Sequence, residues 1–412
     1  DHRDLHSFPT RRSSDLSAMT DLDYNNVRAT ILNGGDMWWD LSNAQYEIPK
    51  GSGKTALFAG AIWIGGVDVN GQLRICAQLH RDGGDKNDYW PGPLEKSGDN
   101  IANVDAEVCT MYDRHFKINK SDVQKFVAWY NASAQEKADL YAGYSVPEII
   151  YNWPAHGPTA YGEYDSYLAP YVDVPPLGDY DPNSGDYPYY PLSGLPDCNT
   201  KPESHQDNLT NTTNYLRGDQ TLWWVYNDRG NVHQITVGAE PIGVEIRAQA
   251  FAFSTNDELN NMSFYNYEII NRSTYKLMDN YFGVWTDADL GQYDDDYVGC
   301  DVNRGLGYLY NGDDMDGDGN GRTYGAQPPD VGMDFFEGPY QDPDYADNLS
   351  SWGPNGLDCA GGYRVNASGD KVFVGTSDIN NLGEVVYSSI MKNGNINGLN
   401  FGEDRKSTRL NS

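Results

Sequence analysis

Apolar positions in this chain come in short runs, broken every few residues by Gly, Asp or Asn. Between Asn25 and Leu79 the runs ALFAGAIWIGG and VDVNGQLRICAQL read as strand, turn, strand, with Asn70-Gly71 as a hairpin turn signal. From Thr221 onward the runs TLWWVYN, VEIRAQAFAF, MSFYNYEII, YFGVW and GLGYLYN follow one another across short polar turns. That spacing is the pattern of an antiparallel meander or sandwich. Within VEIRAQAFAF, Val244, Ile246, Ala248, Ala250 and Ala252 share one face, while Glu245, Arg247 and Gln249 share the other, which predicts a half-buried strand.

Helical periodicity is scarce. In SDVQKFVAWYN, Val123, Phe126, Val127 and Tyr130 recur at helical spacing behind a Ser121 cap, and Ser133 to Glu136 forms a capping box for a second short helix. Residues 154–202 hold 10 of the 21 prolines, which predicts a long ordered loop rather than regular structure. Its aromatics Tyr161, Tyr164, Tyr167, Tyr171, Tyr187 and Tyr189 predict that the loop packs on the body. The expected fold is therefore mainly β: an antiparallel β-sandwich or meander with long Asp-, Gly- and Pro-rich loops and a small helical insert near 121–142. The expected segments are 17–153, the loop or crossover 154–215, and a sandwich-like region 216–403.

The ends follow a different logic. DHRDLHSFPTRRSSDL (1–16) and DRKSTRLNS (404–412) read as translated sequencing-library adaptor, so both are left out of the fold expectations, and the natural chain is expected to continue past at least one of them. They carry 6 of the 29 basic and 4 of the 60 acidic residues, leaving 23 against 56, or −33. Such a charge argues against nucleic-acid or anionic-lipid partners, which require Lys and Arg patches, and favours cations. No apolar run approaches the roughly 20 residues needed to span a bilayer. The 31 tyrosines set the composition apart from that of disordered chains, which are poor in aromatics.

Candidate chemistry lies in the aspartates. NGDDMDGDGNG presents Asp314, Asp316 and Asp318 before Gly319, a DxDxDG array whose carboxylates are expected to converge on a hard cation such as Ca2+. The Glu that completes a helix-loop-helix calcium loop is missing, because residue 325 is Gly. WTDADLGQYDDDYVGCD adds Asp287, Asp289, Asp294, Asp295, Asp296 and Asp301, like charges that repel unless a cation or solvent screens them. A weaker calcium candidate is VDVPPLGDYDPNSGDYP, with Asp173, Asp179, Asp181 and Asp186.

Other motifs fail their own requirements. GSGKT at 51–55 lacks the first glycine of a phosphate-binding loop, since Ile48 stands there, and a strand-like run follows it where a helix is needed; a tight turn is expected. Cys76, Cys109, Cys198, Cys300 and Cys359 show no zinc spacing and leave disulfides open. The histidines His80, His115, His156, His205 and His233 are isolated, and no GxSxG turn occurs. Trp38-Trp39 and Trp223-Trp224 are expected in the core rather than as sugar-stacking platforms.

Many blocks in order, among them NNVRATILNGGDMWWDLSNAQYEIPKGSGK, FAGAIWIGGVDVNGQL, DQTLWWVYND, PIGVEIRAQAFAF, YFGVWTDADLG and PPDVGMDFFEGPYQDPD, resemble the N-terminal region of large exported proteins of Bacteroidetes-type bacteria that end in a type IX secretion sorting domain. The resemblance implies a secreted or cell-surface protein and implies no activity. Two function classes follow. One is a calcium-stabilised binding, adhesion or envelope-associated structural module whose partner is an extracellular glycan or envelope component. The other is a secreted hydrolase of extracellular polysaccharide. No catalytic residue is singled out.

Overall fold

The computed structural model describes residues 18–81, 86–99, 101–175, 178–192, 215–302, 304–336, 363–365 and 371–373. It is mainly β, as expected. Strands β1 (Met19–Leu22), β2 (Arg28–Leu32), β3 (Asp36–Met37), β4 (Tyr46–Glu47), β5 (Thr55–Leu57), β6 (Ala59–Asp68) and β7 (Leu73–Ala77) build one antiparallel sheet. The Asn70-Gly71 hairpin joins β6 to β7: Gly71 takes φ +78°, and Asp68 Oδ1 accepts the amides of Asn70 and Gln72. Gly51 to Thr55 form the expected turn between β4 and β5, with no helix after Lys54.

A second antiparallel sheet runs β14-β13-β12-β8, with β9 beside β12, where β8 is Trp90–Pro91, β9 Phe116–Asn119, β12 Gln220–Asn227, β13 Val244–Ala252 and β14 Phe264–Asn271. The intervening β10 (Tyr171–Val172) and β11 (Tyr187–Pro188) form a separate two-stranded pair among the described residues. Chain order does not separate the two sheets, because β15 (Leu277–Asp287) returns to the first and pairs with β6 along its length, placing Trp285 opposite Ala61 and Asp287 opposite Ala59. Beyond β15, a three-stranded sheet comprises β16 (Asp296–Asp301), β17 (Leu306–Asn311) and β20 (Val331–Asp334), and β18 (Met315–Asp316) pairs with β19 (Gly325–Ala326).

The core lies between the two large sheets, where Ile31, Ile62, Leu222, Trp224, Ile246 and Ala248 pack together. A second cluster forms on the far side of the β12–β13 sheet: Trp223 and Val225 meet Phe126 of the helix Lys120–Asn131 and Tyr164, Tyr171 and Tyr190 of the proline-rich loop. That loop is packed, as its aromatics predicted, except at Tyr161, which is exposed. Both tryptophan doublets are buried. Ser133 and Glu136 form the expected capping box, but the Lys120–Asn131 helix begins two residues earlier than expected: its N-cap is Asn119, not Ser121, because β9 runs directly into the helix.

Strand β13 corrects the half-buried reading. Loop and helices cover its polar face as well, so Glu245, Arg247 and Gln249 are all buried. The charges are matched there. Arg247 bonds Glu245 at 2.8 Å and Asp165 at 2.6 Å, and Arg272 pairs with Asp165 and with Glu245 at 3.0 Å. Burial alone would raise the Glu245 carboxyl, yet the two guanidiniums outweigh it and hold that group below its usual range.

Candidate cation site and adjoining cleft

Several loop-base aspartates in this acidic chain act as collectors of backbone amides. Asp88 accepts from Gln234, Ile235 and Thr236, and Asp228 from Ile242, Gly243 and Val244. Carboxylates used this way have filled lone pairs and little left for an ion.

The DxDxDG array divides along the same line. Asp316 is fully buried, with Oδ1 accepting the Gln292 amide at 2.7 Å and Oδ2 the Tyr324 amide. Asp318 is exposed and holds Asn320 in a local turn, and Asp314 is exposed. Lys54 Nζ, the lysine of GSGKT, reaches the same loop and donates to the carbonyls of Gly319 and Thr323 at 3.2 and 2.5 Å. The expected convergence of Asp314, Asp316 and Asp318 is therefore not found: amides and an ammonium organise the loop instead. Among the described residues no three His, Cys, Asp or Glu side chains stand together as a metal group.

The third array behaves likewise. Asp186 accepts from Val174 and Asp181, Asp173 from Gly178, and Asp181 caps Asn183 and Ser184, while Asp179 is exposed. Asp301 is engaged by Arg304 at 2.9 Å.

Asp295 and Asp296 are different. Asp296 Oδ2 accepts the Leu290 amide at 2.9 Å, but its Oδ1 is sealed from solvent with no donor, and so is Asp295 Oδ1. Directly across the β16–β17 ladder from Asp296 is Asn311, which is 9% exposed. The Gly312 amide donates to the Asp295 carbonyl at 2.8 Å, marking 295 and 312 as a hydrogen-bonded pair. Asp296 and Asn311 are thus the intervening pair, whose side chains share a face at the closest cross-strand spacing. Asn311 Nδ2 is spent on the carbonyls of Asp313 and Met315, which fixes the amide's orientation and leaves its Oδ1 buried without a donor.

Three acceptor oxygens on the two strands of this corner thus lack donors, and like charges surround the two carboxylates. Burial first, then the charges of Asp295, Asp316 and Asp289, push the Asp296 carboxyl up to about 6. Asp295 is raised by burial and by Asp316, Asp294 and Asp313. Of the residues singled out from sequence, the fold gathers Asp289, Asp295, Asp296 and Asp316 here; Asn311 was missed. Its signal was the hairpin itself, since pairing Asp301 with Leu306 places residue 311 opposite 296.

A cleft of about 400 Å³ adjoins this corner, lined among others by Trp39, Phe58, His80, Arg81, Asp287 and Asp289. His80 packs edge-on to Trp39, Phe58 and Trp285 at 5.1–5.4 Å, and its Nε2 stands 2.8 Å from Asp287 Oδ2. Arg81 is buried against Asp36, and its Nε has no acceptor. Asp289 is raised by burial and by the Asp287 charge, with Arg322 and His80 opposing.

Cys76 is free and buried, Cys109 is buried, and Cys300 is free and exposed, whereas Cys198 and Cys359 lie outside the described residues. No protein-family model matches the chain, and the curated proteins and solved structures give no match to it.

Proposed function

We infer that the chain is a calcium-stabilised binding or structural module of a secreted or cell-surface protein, with the ion held at Asp295, Asp296 and Asn311. The observation that carries this reading is the set of three buried oxygens without donors. A buried acceptor left unpaired costs about 1–3 kcal/mol, more when charged, and a cation offsets that cost at all three oxygens at once. The donors are all oxygens, two carboxylates and one carboxamide, which is the chemistry of a hard cation and not of zinc. Backbone carbonyls and water would supply the remaining ligands. Export rests on the family resemblance alone, and an extracellular glycan or envelope component is the partner it suggests. Nothing basic favours nucleic acid, and among the described residues no helix is long and apolar enough to cross a membrane.

The test is thermal unfolding with calcium, magnesium or chelator. Calcium should raise the melting temperature by several degrees at a hundredfold excess over its Kd, since such binding supplies about 2.7 kcal/mol. Magnesium should do much less, because it demands a smaller and more regular shell. An unchanged melting curve would remove the calcium assignment.

A hydrolase of extracellular polysaccharide is the second reading, favoured by the paired Asp287 and Asp289 in an aromatic-walled cleft. Release of reducing ends from soluble polysaccharide, abolished in Asp289→Asn, is the result it requires.

A further inference from the structure

We propose that the cleft between Trp39, Phe58, His80, Arg81, Asp287 and Asp289 is a saccharide-binding site that takes a hydroxyl-rich, uncharged glycan segment. The proposal rests on the binding-module reading above and names the site and ligand class that reading leaves open.

Ligand class follows from what the cleft offers. Its polar groups are of both kinds. Asp287 and Asp289 present carboxylate oxygens, and Arg81, 2% exposed, presents a buried Nε–H with no acceptor while its Nη2 pairs with Asp36. A ligand that satisfies both must donate and accept at neighbouring atoms, which a hydroxyl does and an ammonium does not. Two carboxylates within the same cleft repel phosphate, sulfate and uronate groups. The half-buried Phe58 and Leu41 supply apolar wall against which the C–H face of a sugar ring can lie. The volume stands near the lower end of the roughly 300–1,000 Å³ seen for ligand pockets, which suits a short glycan segment rather than a large cofactor.

Position supports the same use. His80 and Asp287 are 38% and 37% exposed, so the cleft is reached from solvent. Its floor is rigid: Asp287 ends β15 opposite Ala59 of β6, and Gly291, two residues beyond Asp289, donates to the Thr55 carbonyl at 2.9 Å.

The experiment is isothermal titration of the full chain, in calcium, with soluble neutral oligosaccharides of the cello-, xylo-, manno- and chito-series and with choline. Two variants accompany it. Asp289→Asn removes one charged acceptor, and Ser42→Tyr places a ring into the cleft from an exposed loop position without touching the acidic corner. The expected result is binding of at least one series, weakened about tenfold in Asp289→Asn, the size of one lost hydrogen bond to a charged group, and lost in Ser42→Tyr at an unchanged melting temperature. Binding that survives Ser42→Tyr overturns the cleft assignment while leaving glycan binding by the chain intact. Absence of binding to every series overturns both, and choline binding tighter than any saccharide overturns the ligand class.

Discussion

Replacing Asp296 with Asn should change stability in opposite directions with and without calcium. Asn keeps an oxygen for the Leu290 amide but removes a charge crowded by Asp295, Asp316 and Asp289. The carboxyl is pushed up to about 6, roughly two pH units above an ordinary aspartate, which corresponds to nearly 3 kcal/mol if fully felt. Asp296 is only half-buried, so solvent screening leaves about 1 kcal/mol as the gain on removing the charge. At pH 7.5 in chelator, Asp296→Asn should therefore melt roughly 2 °C above the parent chain. In calcium the order should reverse, because the variant has lost a ligand and with it most of the several-degree increment that binding supplies. The assay is differential scanning calorimetry of both chains in both conditions. A variant that melts lower in chelator, or one that keeps the full calcium increment, would refute the reasoning.

The same groups set the pH dependence. Because the native Asp296 carboxyl stays protonated up to about 6 whereas an unfolded aspartate loses its proton near 4, the calcium-free native state binds more protons between those values. Calcium-free stability should fall as pH rises through that window, while the calcium increment should grow across it and shrink at pH 5; melting series at both pH extremes check the sign. Arg247→Met should cost about 3–5 kcal/mol in urea unfolding, because it leaves the buried Glu245 with only Arg272 as a cationic partner. Gly291→Ala should cost about 2 kcal/mol or more in the same assay. Gly291 has φ +69°, and an added Cβ would sit 1.9 Å from Asp316 Oδ2.

The strands were legible because their apolar runs and turn residues act locally. Asn70-Gly71 makes its hairpin from two residues' own backbone preferences, and Ser133 and Glu136 cap a helix across three positions. Burial on both faces of β13 was not legible. Glu245 and Arg247 look like a solvent face until Asp165 and Arg272, from distant segments, are brought to meet them. The acidic arrays show the same limit. Spacing in NGDDMDGDGNG states that carboxylates are close along the chain, but not which backbone amides will fill them. Gln292 and Tyr324 settle that for Asp316, and Lys54 takes the loop carbonyls from a turn some 265 residues away. Asp296 and Asn311 stand 15 positions apart in sequence, and only the β16–β17 register makes them neighbours.

The most direct measurement is a crystal structure of the chain grown with calcium and phased for its anomalous signal. The account predicts one strong peak within about 2.3–2.6 Å of Asp295 Oδ1, Asp296 Oδ1 and Asn311 Oδ1. A calcium peak centred instead on Asp314, Asp316 and Asp318, or donors from the protein filling all three oxygens with no ion beside them, would contradict it.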